Sequence, residues 1–217
     1  MKDPQGVGQK FNLETYLAAR KVARRVAFLF ASHVEEGMTE DEGLETLDQL
    51  LKKNGVEKKW HPSKFRIGKN TVKSFKEKSD PDVKLQEQDI FFLDIGPIID
   101  GHEADYGQTF TVGQNHEYAH AQKTSKQIFD QLAGEWKTNK LSGKALYERA
   151  SELAQKHCYI LNENMAGHRL GDLPHALHYR GKLSDFESVP LENLWVLEVH
   201  IRHPDKEFGA FFEDILM

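Results

Sequence analysis

Asp89-Ile90-Phe91-Phe92-Leu93-Asp94-Ile95-Gly96, followed by Ala104-Asp105-Tyr106-Gly107-Gln108-Thr109-Phe110-Thr111-Val112-Gly113, decides how the chain folds. The first segment is an apolar run closed by Gly96-Pro97, the pattern of a buried strand. Asp100-Gly101 supplies a turn, and the second segment alternates enough to be the hairpin partner. Each predicted strand carries one carboxylate, Asp94 and Asp105, eleven positions apart, in apolar or small-residue surroundings. An ionised carboxylate in such a place is costly unless it is paired or binds a metal. The same difficulty recurs at Glu198, between Leu197 and Val199, and at Glu213, after Phe211-Phe212.

Taken singly, an acid in a strand is more often salt-bridged or turned to solvent. Four together argue for a shared partner, and the sequence holds no matching set of arginines in apolar surroundings. Divalent cations would neutralise the four carboxylates and leave room for one imidazole. His168, in Gly167-His168-Arg169-Leu170-Gly171, is the candidate for that imidazole.

Working outward, apolar residues from Asn12 to about Glu36 recur at helical spacing, with Gly37 as the stop. Thr39-Glu40-Asp41-Glu42 is a capping box that opens a second helix running to Asn54-Gly55. The stretch from Trp60 to Asp82 reads as irregular. After the hairpin, helices are expected from about Glu117 to Lys137 and from about Lys144 to Glu163, then strands over 194–201 and 208–217. A helical hairpin followed by strands, twice over, predicts an α+β fold of duplicated units with the ligand site between the halves.

The length of 217 residues with 39% hydrophobic content suits one domain, spanning 1–217. A net charge of −5 with both signs interspersed is an ordinary soluble surface and points away from nucleic acid. No apolar run reaches the roughly 18 residues of a membrane span, and the start lacks a signal core. A single cysteine, Cys158, excludes an intrachain disulfide framework and a thiolate zinc cluster, so a cytoplasmic location is expected, with Cys158 as a buried packing thiol in a helix.

The order Asp94, Asp105, Gly-His-x-x-Gly at 167–171, Glu198 and Glu213 resembles the pita-bread superfamily of methionine aminopeptidases, Xaa-Pro aminopeptidases, prolidases and creatinase. Gly37-Met38-Thr39-Glu40 looks like the family's helix start, and the likeness covers nearly the whole chain. It implies a pita-bread fold and a catalytic domain without the separate N-terminal domain of the longer members. It implies two divalent ions (manganese, iron, cobalt or zinc), with Asp94 on one, Asp105 and Glu213 bridging both, and His168 with Glu198 completing the second. The implied activity is that of a metal-dependent aminopeptidase or dipeptidase on a short peptide or peptide-like amide. His175 falls where the family places a catalytic, substrate-contacting imidazole, with His178 as a competitor. A homodimer is compatible with this reading; neither nucleic acid nor membrane is an expected partner.

Two departures stand out. The family's histidine upstream of the first Asp ligand is missing from 68–76, and His61 precedes the Gly68-Lys69-Asn70 turn that the family histidine would follow, which argues against direct replacement. Ala176 stands where a glutamate commonly follows the second histidine. Both favour altered substrate contacts, with a non-peptide small molecule, or a binding protein without turnover, as the alternatives. Lys69, Lys73, Lys76 and Lys78 read as a solvated charged loop or as a basic rim for an anionic substrate. His200 and His203 are expected at the surface or in hydrogen-bonding roles.

Overall fold

The structure, a computed structural model, describes residues 3–217. Its helices begin where side chains can satisfy the free N–H groups of the first turn. Asn12 caps α1 (Leu13–Ala31) and Thr39 with Glu42 forms the predicted capping box of α2 (Glu40–Lys53). Asn115 caps α3 (His116–Asn139) and Ser142 caps α4 (Gly143–Lys156). Two helices stop short of expectation. At the end of α1, the Ser32 hydroxyl and the His33 ring both bond to the Leu29 carbonyl, competing for an acceptor that a further turn would use. Beyond α4, Cys158 takes a left-handed conformation (φ 63) and the chain turns into a strand. Cys158 is therefore exposed and outside the helix, not the buried helical thiol expected.

The remaining chain forms β1 (Lys58–Lys59), β2 (Lys64–Ile67), β3 (Asp89–Ile95), β4 (Pro97–Ile99), β5 (His102–Glu103), β6 (Tyr106–Val112), β7 (Ile160–Leu161), β8 (His168–Arg169), β9 (Trp195–Arg202) and β10 (Gly209–Ile215). The main sheet runs β2-β3-β6-β10-β9-β7, with β8 added against β9, and β1-β4-β5 make a small second sheet. β3 and β6 pair antiparallel as expected, but the hairpin is broken at its tip, where β4 and β5 leave for the small sheet. β2 lies within the stretch expected to be irregular. Its run Lys64-Phe65-Arg66-Ile67 is too short to show periodicity and is set by pairing with β3.

The two halves are α1-α2-β2-β3-β6 and α3-α4 with β7 to β10, the duplicated arrangement expected. They meet at β6 and β10 through only two register pairs, Phe212↔Gln108 and Glu213↔Gly107, whereas β3/β6 and β9/β10 each share seven. Just beyond, Thr109 supplements the seam: its hydroxyl donates to the Phe211 carbonyl (2.9 Å) and accepts from the Phe211 N–H (2.6 Å). Helices α1 and α3 pack on β6 and β10, closing a core of residues such as Phe30, Phe91, Leu132, Leu197 and Ala210. On this helical side Asp214 receives Arg20 of α1, Nε and Nη2 each donating at 2.5 Å. Alternation along the strand turns Glu213 to the opposite face.

Candidate metal centre

Sheet register assembles the centre. Asp94 pairs with Gly107, Gly107 with Glu213, and Glu213 with Glu198, so one row crosses four strands. Side chains of directly opposed residues share a face, which brings three carboxylates to one side of the sheet. Gly107 makes room among them: a Cβ there would lie 2.6 Å from Glu213 Oε1 and 2.4 Å from the Phe211 ring. Asp105, just before β6, and His168, on β8, complete the group.

The atoms converge tightly. Asp105 Oδ2 lies 2.9 Å from His168 Nε2, and Glu198 Oε1 lies 3.9 Å from that nitrogen. Potential ligand atoms of Asp105, His168 and Glu213 all fall within 4.8 Å of one another, and those of His61, Asp94 and Asp105 form a second such group. Asp105 belongs to both. The five residues expected as ligands thus share one site, and His61, discounted from its position in the sequence, joins them. Trp60 carries it there: the Trp60 N–H donates to the Gly96 carbonyl (2.9 Å) and its indole N–H to the Ala104 carbonyl (2.9 Å). No local signal marks this, because the contact links a loop to a strand more than thirty residues away.

Crowding of acids in a buried place dominates the electrostatics of the cluster. Asp94, Asp105 and Glu213 are buried. Burial, reinforced by Asp105, Asp94 and Glu198, pushes the Glu213 carboxyl far above its usual range. Burial also lifts Asp94 to about 7, against the pull of His61, and raises Glu198. Burial works against charge on both imidazoles, yet Asp94 and Asp105 push His61, and Asp105 and Glu198 push His168, up to about 9. Asp105 is held below its usual value despite burial, because His168 bonds to it and the His61 imidazole faces it. Glu213 Oε1 is buried with no hydrogen-bond partner among the described residues. An orphaned carboxylate oxygen, two imidazoles and three further acids make a donor set that fits divalent cations.

Around this set the supports are specific. Gly167 N–H donates to Glu198 Oε2 (2.9 Å), and the Tyr147 hydroxyl bridges the Glu198 backbone, donating to its carbonyl and accepting from its N–H. His175 stacks beside His168, with centroids 5.7 Å apart, and its Nδ1 donates to Glu103 Oε2 at 2.5 Å. Glu103 is buried and was missed in the sequence, where it reads only as one more acid beside Asp105. His178 turns away towards Asp172, 3.9 Å off. His200 is wholly buried, its Nε2 donating to the Thr71 carbonyl (2.7 Å) and Nδ1 accepting from Asn162; burial lowers it to about 4, so it is a neutral strut. The His203 ring accepts from the Asp205 and Lys206 N–H groups in an exposed turn. Lys69 and Lys73 both pair with Asp80, which reduces the force of a basic rim.

Comparison with known proteins gives the family and the fold. The sequence profile of metallopeptidase family M24 matches residues 14–217. An X-Pro aminopeptidase from Thermotoga maritima superposes with a TM-score of 0.78 at 20% identity, over 96% of this chain and 58% of its own. A prolidase from Pyrococcus furiosus gives 0.78 at 20% identity, over 99% and 63%. A methionine aminopeptidase from Thermotoga maritima gives 0.74 at 13% identity, over 99% and 94%. The chain therefore has the pita-bread fold, and spans about three-fifths of the length of the first two proteins. No match to it was found among curated proteins.

Proposed function

This chain belongs to metallopeptidase family M24, and on that premise we propose that it is a dinuclear metal-dependent hydrolase acting on a short peptide or peptide-like amide. The observation that carries the reading is the in-register row of Asp94, Glu213 and Glu198 closing on Asp105 and His168, with one buried oxygen of Glu213 unpartnered. Asp94 would serve one cation, Asp105 and Glu213 both, and His168 with Glu198 the other. Manganese, iron, cobalt or zinc in such a pair supplies Lewis acidity and an activated water at neutral pH, and no protein nucleophile is needed.

The chain's own residues supply the rest. His168 and His175 are half-buried, as are His61 and Glu198, while Asp94, Asp105 and Glu213 are buried. Glu103 fixes His175 with Nδ1 as donor, leaving Nε2 to contact the substrate and to hold or pass a proton there. Trp60 lies edge-on to His175, centroids 5.1 Å apart, and sets an indole beside it. Likeness to an X-Pro aminopeptidase and a prolidase directs the first assays to Xaa-Pro substrates. A second reading, a non-peptide small molecule, is favoured by Ala176, which puts a methyl group beside His175 in the His175–Leu177 turn.

The test is reconstitution with each of the four metals, metal analysis, and a screen of dipeptide and Xaa-Pro libraries. About two ions per chain and peptide turnover are expected, and Asp105→Ala should lose both. Less than one ion per chain after reconstitution sinks the two-metal reading; full loading without peptide turnover transfers the site to the non-peptide substrate.

A further inference from the structure

We propose that His61 is a ligand of the cation on the Asp94 side, so that the centre has one imidazole for each metal. The inference rests on the two-cation reading above and adds a ligand to it.

His61 Nε2 lies 3.4 Å from Asp94 Oδ1 and 3.4 Å from Asp105 Oδ1. Both separations are long for hydrogen bonds to a carboxylate, which favour about 2.7–2.9 Å. They suit ligands sharing an ion: with metal–ligand bonds near 2.1 Å, a tetrahedral angle separates donor atoms by about 3.4 Å and a right angle by about 3.0 Å. A nitrogen equally distant from two acids stands where a third ligand of a common ion would stand.

The tautomer agrees. A metal-binding imidazole commonly donates its other N–H to a carbonyl or carboxylate, which fixes the ring and turns a lone pair on the metal. His61 Nδ1 is 2.9 Å from the Pro62 carbonyl, and His168 Nδ1 is 2.9 Å from the Arg169 carbonyl. Each ring bonds to the carbonyl of the next residue and presents Nε2 to Asp105. Asp105 is divided between them, Oδ1 facing His61 and Oδ2 facing His168. Two imidazoles of unrelated origin therefore have the same support and take opposite oxygens of the proposed bridge.

The ring's seat is also built. A Cβ at position 96 would fall 2.2 Å from His61 Nε2 and Cδ2, so only glycine leaves space for the ring. Trp60 holds its edge, centroids 4.2 Å apart, while bonded to the Gly96 and Ala104 carbonyls. This is a braced, nearly buried position, with the side chain 9% exposed. A second imidazole also shifts the donor set away from manganese and towards zinc, cobalt or iron.

The test uses the full chain loaded with Co2+. Proton NMR of the wild-type protein should show two hyperfine-shifted, solvent-exchangeable imidazole N–H resonances, from His61 and His168. His61→Ala, its fold checked by circular dichroism, should lose one of them. It should also weaken one Co2+ site roughly 100-fold or more, exceeding the 10–100-fold cost of losing an outer partner, and leave the other site unchanged. Two bound ions with a single such resonance in the wild type would overturn the assignment of His61 alone. Two sites of unaltered affinity in His61→Ala would do the same. A wild-type chain that takes up one ion with one resonance overturns both this inference and the two-cation reading.

Discussion

Glu213→Gln should make the metal-free protein more stable while removing most of the stability that metal confers. Glu213 lies within 4.8 Å of Asp105 in a buried site. Two unit charges at that distance repel by about 3.5 kcal/mol at an effective dielectric of about 20. Keeping Glu213 protonated, the direction in which burial and the neighbouring acids push it, avoids this, and at pH 7 that costs at most about 3.4 kcal/mol for a carboxyl of ordinary value 4.5. Both routes give about 3 kcal/mol, which glutamine, with the same shape and no charge, removes. For a chain of this length the gain corresponds to roughly 6–12 °C in Tm. Its pH dependence has a definite sign. The folded carboxyl holds its proton at pH values where the unfolded chain has released it, so wild-type stability falls as pH rises above about 4.5. The advantage of Glu213→Gln should therefore be near zero at pH 4.5 and grow towards pH 7. With free metal at about 1,000 times Kd, the wild type regains about 4 kcal/mol, and the variant only a fraction of it. Thermal and urea unfolding in EDTA and in excess Mn2+, at pH 4.5 and 7, measure all four quantities. A chelated variant no more stable than wild type at pH 7, or one with the same metal-induced shift, would refute the view that uncompensated acids dominate this site.

Three other substitutions probe its supports. Arg20→Met breaks a buried bidentate pair and should cost about 3–5 kcal/mol in urea unfolding; the double variant with Asp214→Asn should recover part of the loss, and simple additivity would show that the two groups are uncoupled. Gly107→Ala forces the Phe211 ring and Glu213 Oε1 aside, so Tm should fall by the equivalent of about 1–3 kcal/mol and metal titrations should shift to weaker binding, whereas unchanged curves would mean that the row tolerates a methyl group. Glu103→Gln exchanges a charge-assisted bond to His175 for a neutral one; kcat should drop roughly tenfold with metal content unchanged, and an unaltered kcat would remove Glu103 from the machinery.

How much was legible follows from where the controlling forces act. The paired strands around Asp94 and Asp105 could be read because a carboxylate in an apolar strand is an energetic anomaly that local sequence exposes. The α2 start was equally clear, since a capping box is complete within four residues. The ends of α1 and α4 were not, because Ser32 and His33 compete for one carbonyl and Cys158 takes a conformation more usual for glycine. His61 and Glu103 escaped for a different reason. One reaches the centre by Trp60 docking on Gly96 and Ala104, the other faces His175 from across the chain, and neither spacing has a period to detect.

The narrow joint between β6 and β10 gives the centre a mechanical role. Two register pairs and the Thr109–Phe211 bonds hold that joint, and the candidate ligands stand on both banks of it: Asp94 and Asp105 on one, His168, Glu198 and Glu213 on the other. Cations seated there would rivet the sheet where its two halves meet. Chelation would then loosen the joint before it loosened either bank, and the backbone amides of Gln108, Phe212 and their neighbours would be first to exchange with solvent. Selection for tight metal binding would, in the same stroke, be selection for a rigid molecule.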